Sequence, residues 1–245
     1  MTSPAQPFGD RAFLLGVADV GSARALAGEV EHAVRAGTAP AGIVEVLAGF
    51  DSVVVRTDLA AATDDGLASW LADLSSLLAG GRAPAMGTSE RTEGDEAGRT
   101  VTIPVVFDGP DLEAVADAIG AAPPAVVDLL TGAPLEVALL GFAPGFPYLV
   151  GLPPALVAIP RRATPRASVP AGSVAIGGGF ASVYPQSSPG GWKILGHTSI
   201  CLFDPHRPPF ALLQPGDRVR FTGGSGAGAT APGGDAAGPG PATSG

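Results

Sequence analysis

After Thr131 the chain consists of short apolar, β-branched runs separated by glycine and proline, and this pattern constrains its fold more than any other feature. The runs are LEVALLG, SVAIGG, ASVYP, WKILG, TSICLF and DRVRF. Proline removes a backbone donor and glycine weakens a helix, so no long helix can extend through this segment. Short runs bounded by turn residues are typical of a β-sandwich or a β-barrel. The second half of the chain is therefore predicted to be such a β-domain.

The first 80 residues have a different pattern, in which strands and helices alternate. Residues 11–17 (RAFLLGV) form an apolar run typical of a strand, and the next segment predicts a helix that is capped near Asp19 or Ser22 and ends at Gly37. GIVEVLAG and DSVVVRT predict a β-hairpin, and DDGLASWLADLSSLLAGG predicts a second helix. We therefore expect residues 1–80 to form a small α+β domain.

A polar, glycine-rich segment follows this domain. Residues 81–99 lack an apolar period and are expected to be a linker. The strand TVTIPVVF and two short helices in PDLEAVADAIG and PPAVVDLL open the second domain, which we place at residues 100–222. Residues 223–245 are rich in glycine, alanine and proline and are expected to be disordered, because they cannot bury enough apolar area to offset their ordering entropy.

The charge of the chain excludes some classes of partner. Its net charge is −9, which argues against nucleic acid and against an anionic membrane as the main partner.

The single cysteine, Cys201, excludes an internal disulfide and is expected to be a buried residue of a strand. No apolar run is long enough to span a bilayer and no signal-peptide pattern is present, so we expect a cytoplasmic protein.

One basic region stands out within this acidic chain. Residues 137–203 contain no Asp or Glu, but they contain Arg161, Arg162, Arg166 and Lys193, the only lysine. The three arginines lie in PRRATPRASVPAGS, whose prolines predict a stiff loop able to hold a carboxylate or a phosphate. The alternative is that these arginines pair with acids from the other half of the chain.

The segment GFAPGFPYLVGLP, residues 141–153, predicts a shaped loop. Prolines and glycines exclude a helix here, and the apolar rings of Phe142, Phe146 and Tyr148 would be costly to leave in water. The loop is therefore expected either to wall a pocket or to plug the end of the barrel.

None of the common nucleotide-binding, zinc or hydrolase motifs is present, and the three histidines, His32, His197 and His206, do not form a metal-site pattern.

Several long motifs occur together in the order of a known family. They are FGDRAFLLGV, GIVEVLAGFDSVVV, GFAPGFPYLVGLP, PRRATPRASVPAGSVAIGGG, VYPQSSPGGWKILGHT and FDPHRPPFALLQPGDRVRF. With these motifs the chain resembles, over nearly its whole length, the family of the B-type subunit of 5-oxoprolinase. The family is also called allophanate hydrolase subunit 1 or carboxyltransferase domain, subdomain C/D, and it includes the kinase inhibitor KipI. The resemblance implies an α+β fold with a small N-terminal α+β domain followed by a cyclophilin-like β-barrel.

The resemblance also implies a heteromeric enzyme. In that enzyme the B-type subunit acts with a homologous C-type subunit and an A-type lactam-hydrolase subunit. Together they hydrolyse 5-oxo-L-proline to L-glutamate at the expense of ATP, and no biotin attachment site is expected in this chain. Two other activities of relatives stay open. One is inhibition of a sensor histidine kinase through protein contacts, and the other is the carboxyltransferase part of a urea carboxylase or an allophanate hydrolase-like amide hydrolase.

A site of this kind needs cations over the negative charge that develops on the amide, together with apolar walls. We assign no catalytic base or nucleophile. The expected anion-holding residues are Arg161, Arg162, Arg166, Lys193, Ser173 and Ser188. The expected wall residues are Phe142, Phe146, Tyr148, Trp192, Phe180 and His197. The chain departs from the family at Leu130, Phe180 and His197, where relatives commonly carry histidine, glutamine and arginine, and each departure removes a polar group that could contact a ligand.

Overall fold

The computed structural model describes residues 5–58, 65–79 and 99–223. The predicted linker (81–99) and tail (223–245) lie outside these residues, apart from Arg99 and Gly223 at their borders.

The N-terminal domain is an antiparallel four-stranded sheet with two helices packed against it. The strands lie in the order β1-β2-β4-β3. The elements are β1 (Gln6–Pro7), β2 (Ala12–Gly16), α1 (Val20–Ala36), β3 (Ile43–Ala48), β4 (Ser52–Thr57) and α2 (Asp65–Ala79). The predicted hairpin is confirmed, because β3 and β4 pair directly.

Local sequence explains where helix α1 begins and which face it buries. The side chain of Asp19 accepts a hydrogen bond from the Ser22 backbone N–H at 2.7 Å, which satisfies a donor that the first turn leaves free. The helix ends at Gly37, as predicted. Apolar residues at helical spacing pack on the alternate apolar residues of β2 and β4. The buried residues of α1 are Ala23, Leu26, Ala27 and Val30.

The second domain is a seven-stranded barrel sheet with a separate two-stranded ribbon. The sheet order is β12-β9-β10-β7-β6-β13-β5, and β8 pairs with β11 in the ribbon. The strands are β5 (Thr100–Val105), β6 (Leu135–Leu140), β7 (Pro147–Val150), β8 (Arg166–Val169), β9 (Ser173–Gly177), β10 (Phe180–Val183), β11 (Ser188–Gly190), β12 (Lys193–His197) and β13 (Arg218–Gly223). The helices are α3 (Leu112–Ala118), α4 (Pro123–Thr131) and α5 (Pro154–Val157). The predicted α+β fold with a small N-terminal domain and a C-terminal barrel is confirmed.

Reciprocal backbone hydrogen bonds join the two edges of the barrel sheet. The N–H of Val106, just after β5, donates to the carbonyl of His197 in β12, and the N–H of His197 donates to the carbonyl of Val106, both at 2.9 Å. Closing the sheet in this way leaves fewer unpaired edge groups. The barrel interior is aliphatic, with Val174, Ile176 and Leu149 among its fully buried residues.

One predicted strand is absent. The segment TSICLF, residues 198–203, contains only an isolated bridge between Phe203 and Ala211. Its backbone makes scattered hydrogen bonds in place of a strand ladder. The N–H of Ile200 donates to the hydroxyl of Thr198 at 3.3 Å, and the N–H of Thr198 donates to the carbonyl of Gly172 at 2.9 Å. Cys201 is consequently exposed, and the prediction of a buried strand cysteine was wrong.

The outer face of the barrel sheet carries a second core, which is aromatic. Strand residues alternate between the faces, so Ala175 and Tyr148 face outward beside the inward-facing Ile176 and Leu149. The N-terminal domain packs next to this core. Phe50, in the turn between β3 and β4, places its ring centroid 4.8 Å from that of Tyr148.

No single helix within the described ranges is long and apolar enough to cross a membrane. Only α3 and α4 taken together reach that length and apolarity, and they are bent by 92° relative to each other.

Candidate functional site

A cavity of about 200 Å³ lies on the outer face of the barrel, against the aromatic core. The loop after β6, the basic loop before β8 and the ribbon strand β11 surround it. Its lining residues are Phe142, Phe146, Tyr148, Arg161, Arg162, Pro165, Tyr184, Pro189, Gly190, Gly191 and Trp192. Six of the residues expected from the sequence are therefore brought together here: Phe142, Phe146, Tyr148, Trp192, Arg161 and Arg162.

The loop after β6 is fixed by its own backbone hydrogen bonds. The N–H of Gly141 donates to the carbonyl of Phe146 at 3.1 Å, and the N–H of Phe146 donates to the carbonyl of Ala143 at 3.0 Å. Gly145 has a φ of 73° and lies so close to Phe203 that a Cβ there would be 2.7 Å from the Phe203 Cβ. The loop is thus held in one shape by turn residues and by close packing.

Phe146 is the centre of the aromatic core. Its ring centroid lies 5.1 Å from that of Tyr184, 5.2 Å from Tyr148, 5.3 Å from Phe142 and 5.6 Å from Trp192. These are the distances of favourable edge-to-face and tilted ring pairs. All of these rings except that of Phe142 are buried. The loop therefore does not plug the end of the barrel; its rings pack on the outer face of the sheet and also wall the cavity.

Arg161 supplies a free positive charge to the cavity. Its guanidinium lies over the Trp192 ring, 5.4 Å from the centroid, and the residue is exposed. It has no ion-pair partner in the described part of the chain. Burial raises the pKa of the Tyr148 and Tyr184 hydroxyls above their usual range, and the nearby Arg161 charge offsets part of that rise. Both tyrosines are therefore neutral hydrogen-bonding groups at neutral pH.

Arg162 and Arg166 share one buried acid. Asp111, whose side chain is 5% exposed, lies 3.3 Å from Arg162 and 2.9 Å from Arg166, and it accepts a 2.7 Å hydrogen bond from the Ile194 N–H. Burial by itself raises the pKa of Asp111, but the Arg166 hydrogen bond, the Ile194 N–H and the two arginine charges together lower it below its usual range. The alternative of pairing with an acid from the first half of the chain therefore holds for Arg162 and Arg166, whereas Arg161 pairs with no acid among the described residues.

Four of the expected anion-holding residues lie outside the cavity lining. Lys193 is half-buried opposite Ile176 in the barrel sheet, and Ser173 is buried at the start of β9. Ser188 pairs with Val169 in the ribbon. Arg166 also lies outside the lining, although it reaches the carbonyl of Trp192 at 3.4 Å.

The three departures from the family occupy different environments. Leu130 is fully buried in the barrel core, where an apolar side chain is favoured. Phe180 packs on Tyr148 from outside the cavity lining, at 5.6 Å between centroids. His197 is exposed at the closure of the barrel, with Nδ1 2.8 Å from an Asp108 carboxylate oxygen.

Sequence reasoning did not assign a role to Tyr184, Pro165, Asp111 or Phe50. Tyr184 stands within VYPQSSPGGW, so the motif contained it, but nothing in the run shows that its side chain faces the cavity. Asp111 precedes α3 and pairs with arginines more than fifty positions away. Contacts between residues so far apart in the sequence depend on the closure of the barrel, which no local sequence pattern reveals.

The charge and the aromatic walls of the cavity suit binding of a small anion. No group of three metal-ligating side chains occurs among residues 5–58, 65–79 and 99–223. The cavity is smaller than the ~300–1,000 Å³ typical of drug-sized ligands, and its titratable side chains are only two arginines and two tyrosines.

Comparison with known proteins identifies similar chains. Residues 4–213 match the family model described as carboxyltransferase domain, subdomain C and D. The B-type subunit of 5-oxoprolinase from Escherichia coli O157:H7 is 53% identical over 126 residues, which are 50% of this chain and 57% of that protein. The B-type subunit of 5-oxoprolinase from Haemophilus influenzae is 40% identical over 182 residues, which are 73% of this chain and 78% of that protein. The match thus spans little more than half of the Escherichia coli protein.

A solved structure shares the fold. The crystal structure of the protein TTHA0988 in space group P212121 aligns with a TM-score of 0.65 at 35% identity, over 93% of this chain and 41% of that chain. In that protein, more than half of the polypeptide therefore lies outside the region similar to this chain.

Proposed function

The chain belongs to the family of the carboxyltransferase domain, subdomains C and D, and we propose that within it this protein is the B-type subunit of a 5-oxoprolinase. The reaction is the addition of water to the lactam of 5-oxo-L-proline. A C–O bond forms at the lactam carbonyl, the ring C–N bond breaks, and the nitrogen takes up a proton to give L-glutamate. The proposal rests on the names of the relatives and on the character of the cavity.

The observation that supports it most is the position of Arg161. 5-Oxo-L-proline is a small five-membered ring with a carboxylate, and the cavity offers aromatic walls beside the Arg161 guanidinium, which pairs with no acid in the described part of the chain. A guanidinium can hold a carboxylate through two parallel hydrogen bonds. The neutral hydroxyls of Tyr148 and Tyr184 supply donors for the lactam oxygen. The aromatic rings exclude water from the bound ring, which strengthens these polar contacts.

This chain supplies binding groups and no evident general base. The cavity lining contains no carboxylate, histidine, cysteine or serine among the described residues. We therefore propose that partner subunits complete the reaction and bind the ATP that the family resemblance implies. The relatives are named as one subunit of an enzyme, which is consistent with such a complex. Residues of this chain bind and orient the lactam, and they hold its carboxylate away from the water that attacks.

The test is glutamate release from 5-oxo-L-proline and ATP by the chain co-expressed with its partner subunits. Arg161→Gln should lower kcat/KM about 100-fold, because hydrogen bonds to a charged partner contribute about 3 kcal/mol. Arg220→Gln is the matched control, since Arg220 is an exposed arginine of β13 that does not line the cavity. Both variants should assemble into the complex.

The outcomes separate the proposed function from its alternatives. Activity in the wild-type mixture that is lost with Arg161→Gln and kept with Arg220→Gln supports the proposal. A complex that assembles but releases no glutamate contradicts it. The kinase-inhibitor and amide-carboxyltransferase hypotheses would then be tested by binding to a sensor histidine kinase and by activity on urea-derived amides.

A further inference from the structure

Phe142 combines two properties that are unfavourable for folding. Its backbone has a φ of 67°, the only positive φ at a non-glycine position among the described residues. Its side chain is 64% exposed, although it is a large apolar ring. The left-handed conformation costs about 1–2 kcal/mol for a residue with a Cβ, and glycine adopts it without that cost. Burial of the ring does not offset this cost.

The surrounding loop maintains this conformation. The hydrogen bonds between Gly141, Ala143 and Phe146 fix the turn on both sides of Phe142, and Gly145 packs closely on Phe203. Among the described aromatic rings, the ring of Phe142 pairs only with that of Phe146, edge to face, at 5.3 Å between centroids. The loop thus holds an apolar ring in solvent at a fixed position, where it lines the same cavity as Arg161.

We propose that Phe142 is a substrate-contact residue that covers the ring of a small cyclic carboxylate bound at Arg161. This inference rests on the proposed function and deepens it, because it names the residue that selects a ring rather than an open chain. A ligand held at Arg161 would shield the exposed face of Phe142 from water. Burial of this apolar area would then contribute favourably to the free energy of binding. The strained backbone keeps the ring in place before the ligand arrives, which lowers the ordering cost of binding.

The test compares stability with binding in Phe142→Gly and Phe142→Leu. Binding of 5-oxo-L-proline to the full chain is followed by Trp192 fluorescence in a Trp70→Phe background, because Trp192 lines the cavity and Trp70 lies in α2. Loss of an aromatic contact worth about 1.4 kcal/mol should raise Kd about tenfold in Phe142→Gly, and Phe142→Leu should lie between it and wild type. The melting temperature of Phe142→Gly should equal or exceed that of wild type, because glycine removes the strain.

Phe210→Ala is the matched control, since Phe210 is also more than half exposed and does not line the cavity. It should leave Kd and glutamate release unchanged. The same variants in the assembled complex should show a rise in KM that parallels the rise in Kd. Higher stability together with weaker binding supports a substrate contact, because a purely structural residue would show the opposite change in stability.

Three results would overturn the inference: an unchanged Kd in Phe142→Gly, a lower melting temperature in that variant, or normal binding with failed assembly of the complex. The last would assign the ring to a protein contact. The two proposals fail separately. If the complex releases glutamate and Phe142→Gly behaves as wild type, only the role of Phe142 is wrong. If the complex releases none while the chain binds cyclopentanecarboxylate in a Phe142-dependent way, only the 5-oxoprolinase assignment is wrong.

Discussion

The carboxylate of Asp111 lies 2.9 Å from the guanidinium group of Arg166. The same carboxylate accepts the N–H of Ile194, so one buried acid joins the start of α3 to both β12 and the basic loop beside the cavity. Because it also contacts Arg162, which lines the cavity, Asp111 is expected to be a positioning residue for the site.

Replacement of Asp111 should therefore lower stability. Asp111→Asn removes the charge that two partly buried arginines face, and we expect the free energy of unfolding to fall by about 2 kcal/mol. Urea unfolding measures the change. Asp108→Asn is the matched control, because Asp108 is exposed and pairs with His197 on the surface, where the expected loss is about 0–1 kcal/mol. Equal losses in the two variants would contradict a special role for Asp111.

The low pKa of Asp111 predicts that the stability of the protein depends on pH in the acidic range. The pKa of Asp111 lies below its unfolded value of 3.8, so its contribution is fully present above pH 3.8 and is lost as the pH falls through the lower folded pKa. The difference in the free energy of unfolding between wild type and Asp111→Asn should be constant from neutral pH down to about pH 5 and should shrink below about pH 4. Urea titrations at several pH values test this. A difference that grows on acidification would exclude the assignment.

Gly190 should tolerate no side chain. A Cβ at this position would overlap the hydroxyl of Tyr184, so Gly190→Ala must displace a buried ring of the cavity wall or the β8–β11 ribbon. We expect a loss of about 1–3 kcal/mol in the free energy of unfolding, measured by urea titration, as for other overpacked sites. Gly28→Ala gives a control of opposite sign, because Gly28 lies within α1 with no atom within 4 Å of its Cβ position and alanine favours a helix by about 0.5–1 kcal/mol.

Phe50 should couple the N-terminal domain to the barrel. Its ring lies 4.8 Å from Tyr148 and 5.2 Å from Phe180, on the outer face of the sheet. A double-mutant cycle of Phe50→Ala and Phe180→Ala should give a coupling free energy of about 0.5–1.5 kcal/mol. A control cycle of Phe8→Ala and Phe180→Ala should give no coupling free energy, because Phe8 is exposed and makes no ring contact among the described residues. Additive effects of Phe50 and Phe180 would show that the domains do not interact through these rings.

The four longer helices, α1 to α4, and most strands could be predicted because their signals are local, whereas the short α5 was missed. Helix α1 begins at the capping residue Asp19 and ends at Gly37, and the hairpin lies on the two β-rich runs that flank Phe50. The strand predicted at TSICLF was wrong: its composition favours a strand, but its one β-bridge among the described residues joins Phe203 to Ala211. The amino-acid composition of a segment does not reveal whether another strand is available to pair with it.

The sequence by itself indicated that the second half is a β-domain and that four basic residues lie in a stretch without acids. The loop predicted over residues 141–153 was wrong in part, because Pro147–Val150 form strand β7, which pairs with β6 and β10 inside the barrel sheet. Only the tertiary structure decided which of the three arginines pairs with an acid among the described residues. Asp111, distant along the chain, pairs with Arg162 and Arg166 once the barrel closes, while Arg161 lies on Trp192. The physical reason is that the rings and charges of a site come together only when the faces of strands far apart in sequence meet. No local sequence pattern encodes the pairing of such distant strands.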